Sequence, residues 1–219
     1  MYIEADACHS VISSASSHFC TAERQYRFPL FYGAFPQATS QHTVTGCGAV
    51  LLEKTQANEK GVYVKSVLPG IVINRGITNA ANMGAAMATA AADTIMRFLE
   101  AEGKNLSDYD MIATGDLGKI GLEMAKDMMK HLGYIDKKGV LTDCGVLIYD
   151  LETQDVSCGG SGCGCSAVTF CGYIYDKMSK GELKNVLLIG TGAMMSPQSL
   201  LQGLSIPAVA HLVEFEVRL

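Results

Sequence analysis

The stretch Gly159-Gly160-Ser161-Gly162-Cys163-Gly164-Cys165-Ser166-Ala167 packs four glycines and two cysteines into nine residues. An apolar segment, Ala167-Val168-Thr169-Phe170-Cys171-Gly172-Tyr173-Ile174, follows at once. Glycine lets main chain come close to a ligand. A loop that runs into a helix also aims unpaired N–H groups outward, where they favour an anion or a polar carbonyl. The loop therefore reads as one wall of a site, with Ser161, Gly162, Cys163 and Cys165 as its candidate contacts. A helix start lowers a thiol pKa, so Cys163 or Cys165 could be a nucleophile. Such a thiol needs a base within reach, usually histidine. No histidine lies close in the sequence, and burial as small core residues is the competing reading.

Three other segments carry suitable groups. Thr114-Gly115-Asp116-Leu117-Gly118-Lys119-Ile120-Gly121 sits at a strand-to-helix turn, the usual site wall of an α/β fold. Asp116 could serve there as an acid, a base or a helix N-cap. The segment from Ser16 to Pro29 offers His18, Arg24 and Arg27 among aromatic residues. Guanidinium groups near aromatic faces suit a planar anion; the alternative is a surface loop with Arg24 paired to a carboxylate. Gly190-Thr191-Gly192 permits a tight turn beside a strand, and His211 reads as a satisfied core or edge histidine.

Composition narrows the function class. The 219 residues suffice for one large domain or two small ones. With 48% hydrophobic and 18% charged residues, the chain is unlike a disordered protein. A net charge of −5 without a lysine or arginine block argues against nucleic acid as a partner. The most apolar long stretch, Met83 to Leu99, is mostly alanine and carries Asp93 and Arg97. It falls short of a membrane span of about 20 apolar residues. Glu4 and Asp6 at the start do not read as a signal peptide. The eight cysteines form no C-x-x-C pair and have no matching histidine spacing. They are read as reduced thiols, with no zinc site or cofactor implied.

The positioning elements alternate between strand and helix. Ala7 to Ala15, Gly48 to Glu53, and Val62 to Ile73 with a break at Pro69-Gly70 read as strands. Asn82 caps a helix to about Glu102, stopped by Gly103. Tyr109 to Thr114 is a buried strand, and Lys119 to Leu132 a helix ended by Gly133. Cys144 to Tyr149 reads as a strand, Ser166 to about Ser179 as a helix, and Val186 to Ile189 and Ala208 to Val217 as strands. The expected fold is α/β, with mixed sheets covered by helices. A strand near Met1 with no helix before it leaves a sheet face to be covered from outside this sequence.

Four groups of residues resemble a known family. They are Ser17-His18 with Thr21 to Pro29; Asn82 to Ala88; Thr114 to Gly118; and Gly159 to Ala167 with Thr191-Gly192-Ala193 and Ser205-Ile206-Pro207. In order and spacing they are similar to the stage V sporulation protein AD family of the thiolase-like superfamily. The resemblance implies a layered sandwich of two similar halves, with residues 1–75 the remainder of the first and 76–219 the second. It places the superfamily's nucleophilic cysteine before the strand at Ala7, so this chain would match only the later part of a full-length member. Condensing enzymes of the superfamily carry a histidine near Gly115 and an asparagine near the glycine loop, and this chain has neither there.

The resemblance therefore implies a ligand-binding, non-catalytic component of dipicolinic acid uptake into the developing spore. His18, Arg24, Arg27, Asp116 and the loop from Ser161 to Cys165 would line the slot. The ligand would be dipicolinic acid, with or without calcium. Membrane proteins of the same sporulation operon would be partners, at the cytoplasmic side of the spore inner membrane. A homodimer through the strand at Ala7 to Ala15 is a further expectation. The alternative activity is that of an acyltransferase or β-ketoacyl synthase-like condensing enzyme.

Overall fold

The computed structural model describes residues 3, 5–19, 37–55 and 59–218. Nine strands and six helices are present among them. β1 (Ser10–Ser17), β2 (His42–Thr43), β3 (Gly46–Glu53) and β4 (Gly61–Leu68) come first. α1 (Met83–Glu102), β5 (Met111–Thr114), α2 (Gly118–His131), β6 (Leu141–Asp143) and α3 (Cys144–Leu147) follow. β7 (Gly160–Ser161) leads into a helical run made of α4 (Cys165–Thr169), a π-helical turn (Phe170–Ile174) and α5 (Tyr175–Ser179). β8 (Asn185–Ala193), α6 (Pro197–Leu201) and β9 (Ala208–Arg218) complete the chain.

The largest sheet has the order β4-β9-β8-β5-β6. It is mixed: β5 runs parallel to β6 and β8, whereas β9 is antiparallel to β8 and β4. Both faces are covered, as apolar strands such as Val186–Ile189 require. On one face Ala88, Ala91, Ile95 and Leu99 of α1 share a core with Ile112, Leu187 and Leu212. On the other, Phe170, Ile174 and Met178 of the helical run pack with Val186 and Phe215. The far side of that run lies against β3, where an added Cβ on Gly46 would come within 2.9 Å of Val168 and one on Gly48 would strike the Ala167 carbonyl. β1 and β3 pair antiparallel in register from Ser10↔Glu53 to Ser17↔Gly46. Their outer face is open, with the cross-strand partners Ile12 and Leu51 71% and 60% exposed.

The helix signals act as expected. Asn82 accepts the Ala85 N–H at the start of α1, and Gly103 closes it in a left-handed conformation with φ 63°. Alanine and glycine let α1 meet α2 backbone to backbone: an added Cβ on Gly121 would lie 2.9 Å from the Gly84 Cα.

Three of the strands whose boundaries differ from the expectation bear on the site. The first strand starts at Ser10 and runs to Ser17, so Ala7 to His9 lie outside it. β8 extends past Ile189 through Gly190-Thr191-Gly192 to Ala193, laddered to Ala208–His211. The expected strand Cys144 to Tyr149 is instead helix α3, and the strand is Leu141–Asp143. A short apolar run does not by itself distinguish helix from strand. Asp143 decides it by accepting the Val146 N–H as N-cap.

Glu214 is a charged side chain sealed into the middle of the large sheet. Glu214 shares its face of β9 with Ala210 and Leu212 and is 1% exposed. Its carboxylate accepts from Ser66 Oγ at 2.7 Å, Lys104 Nζ at 2.8 Å, Tyr109 OH at 3.2 Å and Lys65 Nζ at 3.4 Å. Burial alone would raise its pKa, but the lysine and serine hydrogen bonds hold it below the ordinary glutamate value. Burial and the adjacent Glu214 charge push the Tyr109 hydroxyl up to about 12.

Candidate functional site

Three of the four segments singled out in the sequence converge on Asp116. β5 ends at Thr114, and the turn that follows carries Asp116 towards β8 and β7. The Thr191 hydroxyl donates to Asp116 Oδ1 at 2.7 Å, while Thr191 Oγ1 accepts the Asp116 N–H at 3.0 Å. Asp116 Oδ2 accepts the Gly162 N–H at 3.0 Å. Gln41, just before β2, donates its amide to the carbonyls of Asp116 at 2.9 Å and Gly160 at 3.1 Å. The short parallel pair β2–β7 thus locks the glycine loop beside the turn.

The fourth segment reaches the same place through its first residues. Ser17 Oγ donates to the Val44 carbonyl at 2.6 Å and accepts the Gly164 N–H at 2.9 Å. His18, the next residue, is exposed. Arg24 and Arg27 lie outside the described residues. The loop N–H groups of Gly162 and Gly164 therefore have acceptors within the protein already, and glycine is required for another reason. Gly162 has φ 114°, and an added Cβ on Gly164 would come within 2.7 Å of the Gly46 carbonyl and the Ser17 nitrogen.

Ser161 occupies the centre of this arrangement. It is 0% exposed, and its hydroxyl finds no hydrogen-bond partner among the described residues. Buried hydroxyls are nearly always paired with a protein group or an ordered water, and no described residue pairs this one.

A residue that the sequence reading missed holds the turn. Asp143, 0% exposed at the end of β6, accepts from Thr114 Oγ1 at 2.6 Å and Leu117 N–H at 2.8 Å on one oxygen. The other oxygen accepts from Gly118 N–H at 3.0 Å and Val146 N–H at 3.2 Å. Asp143 therefore caps the start of α2, and Asp116 does not. Burial raises the Asp143 pKa first; the Thr114 and main-chain hydrogen bonds lower it, and the Asp116 charge raises it again, to about 6. The signal was present: an Asp between a β-type run and an apolar run is a candidate cap.

The thiols are distributed unevenly. Cys163 is exposed, whereas Cys144 and Cys165 are fully buried in one core. Burial pushes the Cys144 thiol well above its ordinary value, and the charges of Asp143, Cys165 and Asp116 add to this. Cys158 Sγ accepts the Ile120 N–H at 3.1 Å. His211 is exposed on β9, an inner strand of the large sheet, with Nδ1 accepting the Gly70 N–H at 3.1 Å. Among the described residues no cluster of three His, Cys, Asp or Glu side chains could hold a metal ion. No helix among them is long and apolar enough to cross a membrane.

The family described as stage V sporulation protein AD (SpoVAD) matches residues 1–216. This chain belongs to that family. The stage V sporulation protein AD of Bacillus subtilis (strain 168) is 42% identical over 206 residues, covering 94% of this chain and 59% of that protein. The chain thus spans about three-fifths of the length of this curated SpoVAD relative. Among solved structures, 3-oxoacyl-(acyl carrier protein) synthase III, FabH, from Pseudomonas aeruginosa PAO1 matches with TM-score 0.57 and 14% identity, over 100% of this chain and 61% of that one. Cerulenin-bound OleA of Xanthomonas campestris matches with TM-score 0.54 and 13% identity, over 97% and 58%. These likenesses establish a thiolase-like, FabH-like fold for this SpoVAD chain.

Proposed function

We propose that this sporulation protein contributes a non-catalytic binding site for dipicolinic acid during its uptake into the developing spore. The observation that carries this reading is the buried, unpartnered Ser161 hydroxyl beneath a loop already fixed by Asp116, Thr191 and Ser17. The loop N–H groups of Gly162 and Gly164 are satisfied within the protein, and the Ser161 hydroxyl is the donor proposed to orient a small ligand. Pyridine-2,6-dicarboxylate, a rigid planar dianion whose carboxylates accept hydrogen bonds, is the proposed ligand. Arg24 and Arg27 are the proposed counter-charges and His18 a further contact. Membrane proteins of the same operon and a second copy of the chain are the proposed partners, at the cytoplasmic face of the spore inner membrane.

Titration calorimetry tests the site. Ser161→Ala should weaken pyridine-2,6-dicarboxylate binding about five- to tenfold, the worth of one hydrogen bond. It should leave the melting temperature unchanged or raise it, because an unpaired buried hydroxyl is removed. Unchanged affinity in this variant would reject the role of Ser161. The alternative of acyl transfer requires a thiolate to carry the acyl group. Mass spectrometry after incubation with an acyl-CoA separates the two readings. An acyl adduct on Cys163, the exposed thiol of the loop, would favour transfer.

A further inference from the structure

Asp143 touches no ligand-facing surface, yet the site is assembled on it. Its carboxylate fixes the Leu117 and Gly118 N–H groups, hence the turn carrying Asp116, and Asp116 holds the Gly162 N–H next to Ser161. Asp143 also lies beside β7 directly: an added Cβ on Gly145 would meet the Gly160 carbonyl and lie 3.0 Å from Asp143 Oδ1. The titratable groups facing Asp143 are all acids. They are Asp116 in the turn, Cys144 at the start of α3, and Cys165 of α4, packed against Cys144. Cys158, from the loop before β7, reaches the first turn of α2.

An anion seated at Ser161 therefore adds a negative charge to a region that already holds two carboxylates and supplies them with main-chain dipoles. Like charges at close range favour protonation of one of them. Asp143 has a neutral arrangement ready. The Thr114 hydroxyl lies 2.6 Å from Asp143 Oδ2 and 3.1 Å from the Thr142 carbonyl. If Asp143 takes a proton on Oδ2, that O–H donates to Thr114 Oγ1, and the Thr114 hydrogen turns to Thr142. Every group stays paired, and the three main-chain N–H groups keep an acceptor.

We infer that Asp143 is a positioning residue of the glycine-loop site and takes up a proton from solvent when an anion binds beside Ser161. The inference rests on the anion-binding reading of that site and adds the group through which binding senses pH. The raised pKa of the buried carboxyl, about 6, puts the uptake near neutrality.

The test is calorimetric titration of the 219-residue chain with pyridine-2,6-dicarboxylate in two buffers of different ionisation enthalpy. The difference in heat counts protons. Net uptake of protons on binding is expected, with affinity rising up to about tenfold as the pH falls from about 7.5 to about 5.5, the change for a one-unit ligand-induced shift. Asp143→Asn, which has no carboxylate to take up the proton, should release no buffer-dependent heat and lose the pH dependence of affinity. Binding without proton uptake in the unaltered chain would overturn the Asp143 inference and leave the binding reading standing. Uptake that persists in Asp143→Asn would assign the proton to another group and also overturn it. No binding in either buffer would overturn both. Absence of proton uptake in the unaltered chain overturns the inference even if the variant fails to fold.

Discussion

Among the described residues two carboxylates are sealed inside, Glu214 and Asp143, and their surroundings differ. Glu214, in the large sheet, receives two lysines, a serine and a tyrosine. Asp143, at the glycine-loop site, receives a threonine and three main-chain N–H groups and faces another acid. Cations hold the first below its ordinary pKa, whereas dipoles alone leave the second raised to about 6. The difference teaches which buried acid is a clamp and which can exchange a proton. Glu214 ties β9 to β4 and to the segment between α1 and β5; Asp143 organises the loops that form the site.

Removing each carboxylate sharpens the contrast most. Asp143→Ala strands three N–H groups in the interior, at about 1–3 kcal/mol for each unsatisfied group. We expect a loss of about 4 kcal/mol in denaturant unfolding, enough to threaten folding altogether. Glu214→Ala should cost less, about 2–3 kcal/mol, because Lys65 and Lys104 keep access to water, with side chains 37% and 26% exposed. A larger loss for Glu214→Ala would reverse the ranking of the two sites.

The pH dependence should run in opposite directions. A raised folded pKa means that Asp143 favours folding fully below its unfolded value near 4, and that this is lost as the pH rises through about 6. The size is about 3 kcal/mol for a shift of roughly two units. Glu214, with a lowered folded pKa, contributes stability above its unfolded value and loses it as the pH falls through the folded one. Stability curves of the unaltered chain and Asp143→Asn should therefore diverge between about pH 4 and 6. Parallel curves in that window would show that Asp143 does not titrate there.

The smallest expected effect is at the rim of the clamp. Lys65→Met removes the 3.4 Å pair with Glu214 and should change stability by under about 1 kcal/mol, since Lys104 remains at 2.8 Å. A loss as large as that from Glu214→Ala would mean that Lys65, not Lys104, carries the ion pair.

Much of this could be read from the chain. The Asn82 cap, the Gly103 stop and the α1 and α2 spans follow from local chemistry, and the place of Asp116 at a strand-to-helix turn from where β5 ends, whereas Thr191 meets Asp116 from within β8 and not from a turn. Even Glu214 sits at an apolar position by the two-residue period of β9, between Leu212 and Glu216. The helix at Cys144 was signalled only by Asp143 as a candidate cap, and the role of Asp143 at the Leu117-Gly118 turn was not legible. Both depend on which N–H groups a neighbouring strand presents, and sequence distance hides that Leu117, Gly118 and Val146 share one acceptor. Likewise, the glycine loop announces close approach but not its target. Its N–H groups turn to Asp116 and Ser17, and the free donor is the Ser161 hydroxyl instead.

A crystal structure of the chain with pyridine-2,6-dicarboxylate is the most direct test of the binding site. A ligand carboxylate oxygen should lie within hydrogen-bond distance of Ser161 Oγ, with the Asp116–Gly162 and Asp116–Thr191 bonds retained. A ligand seated elsewhere, with the Ser161 hydroxyl still unpaired, would contradict the assignment of this site.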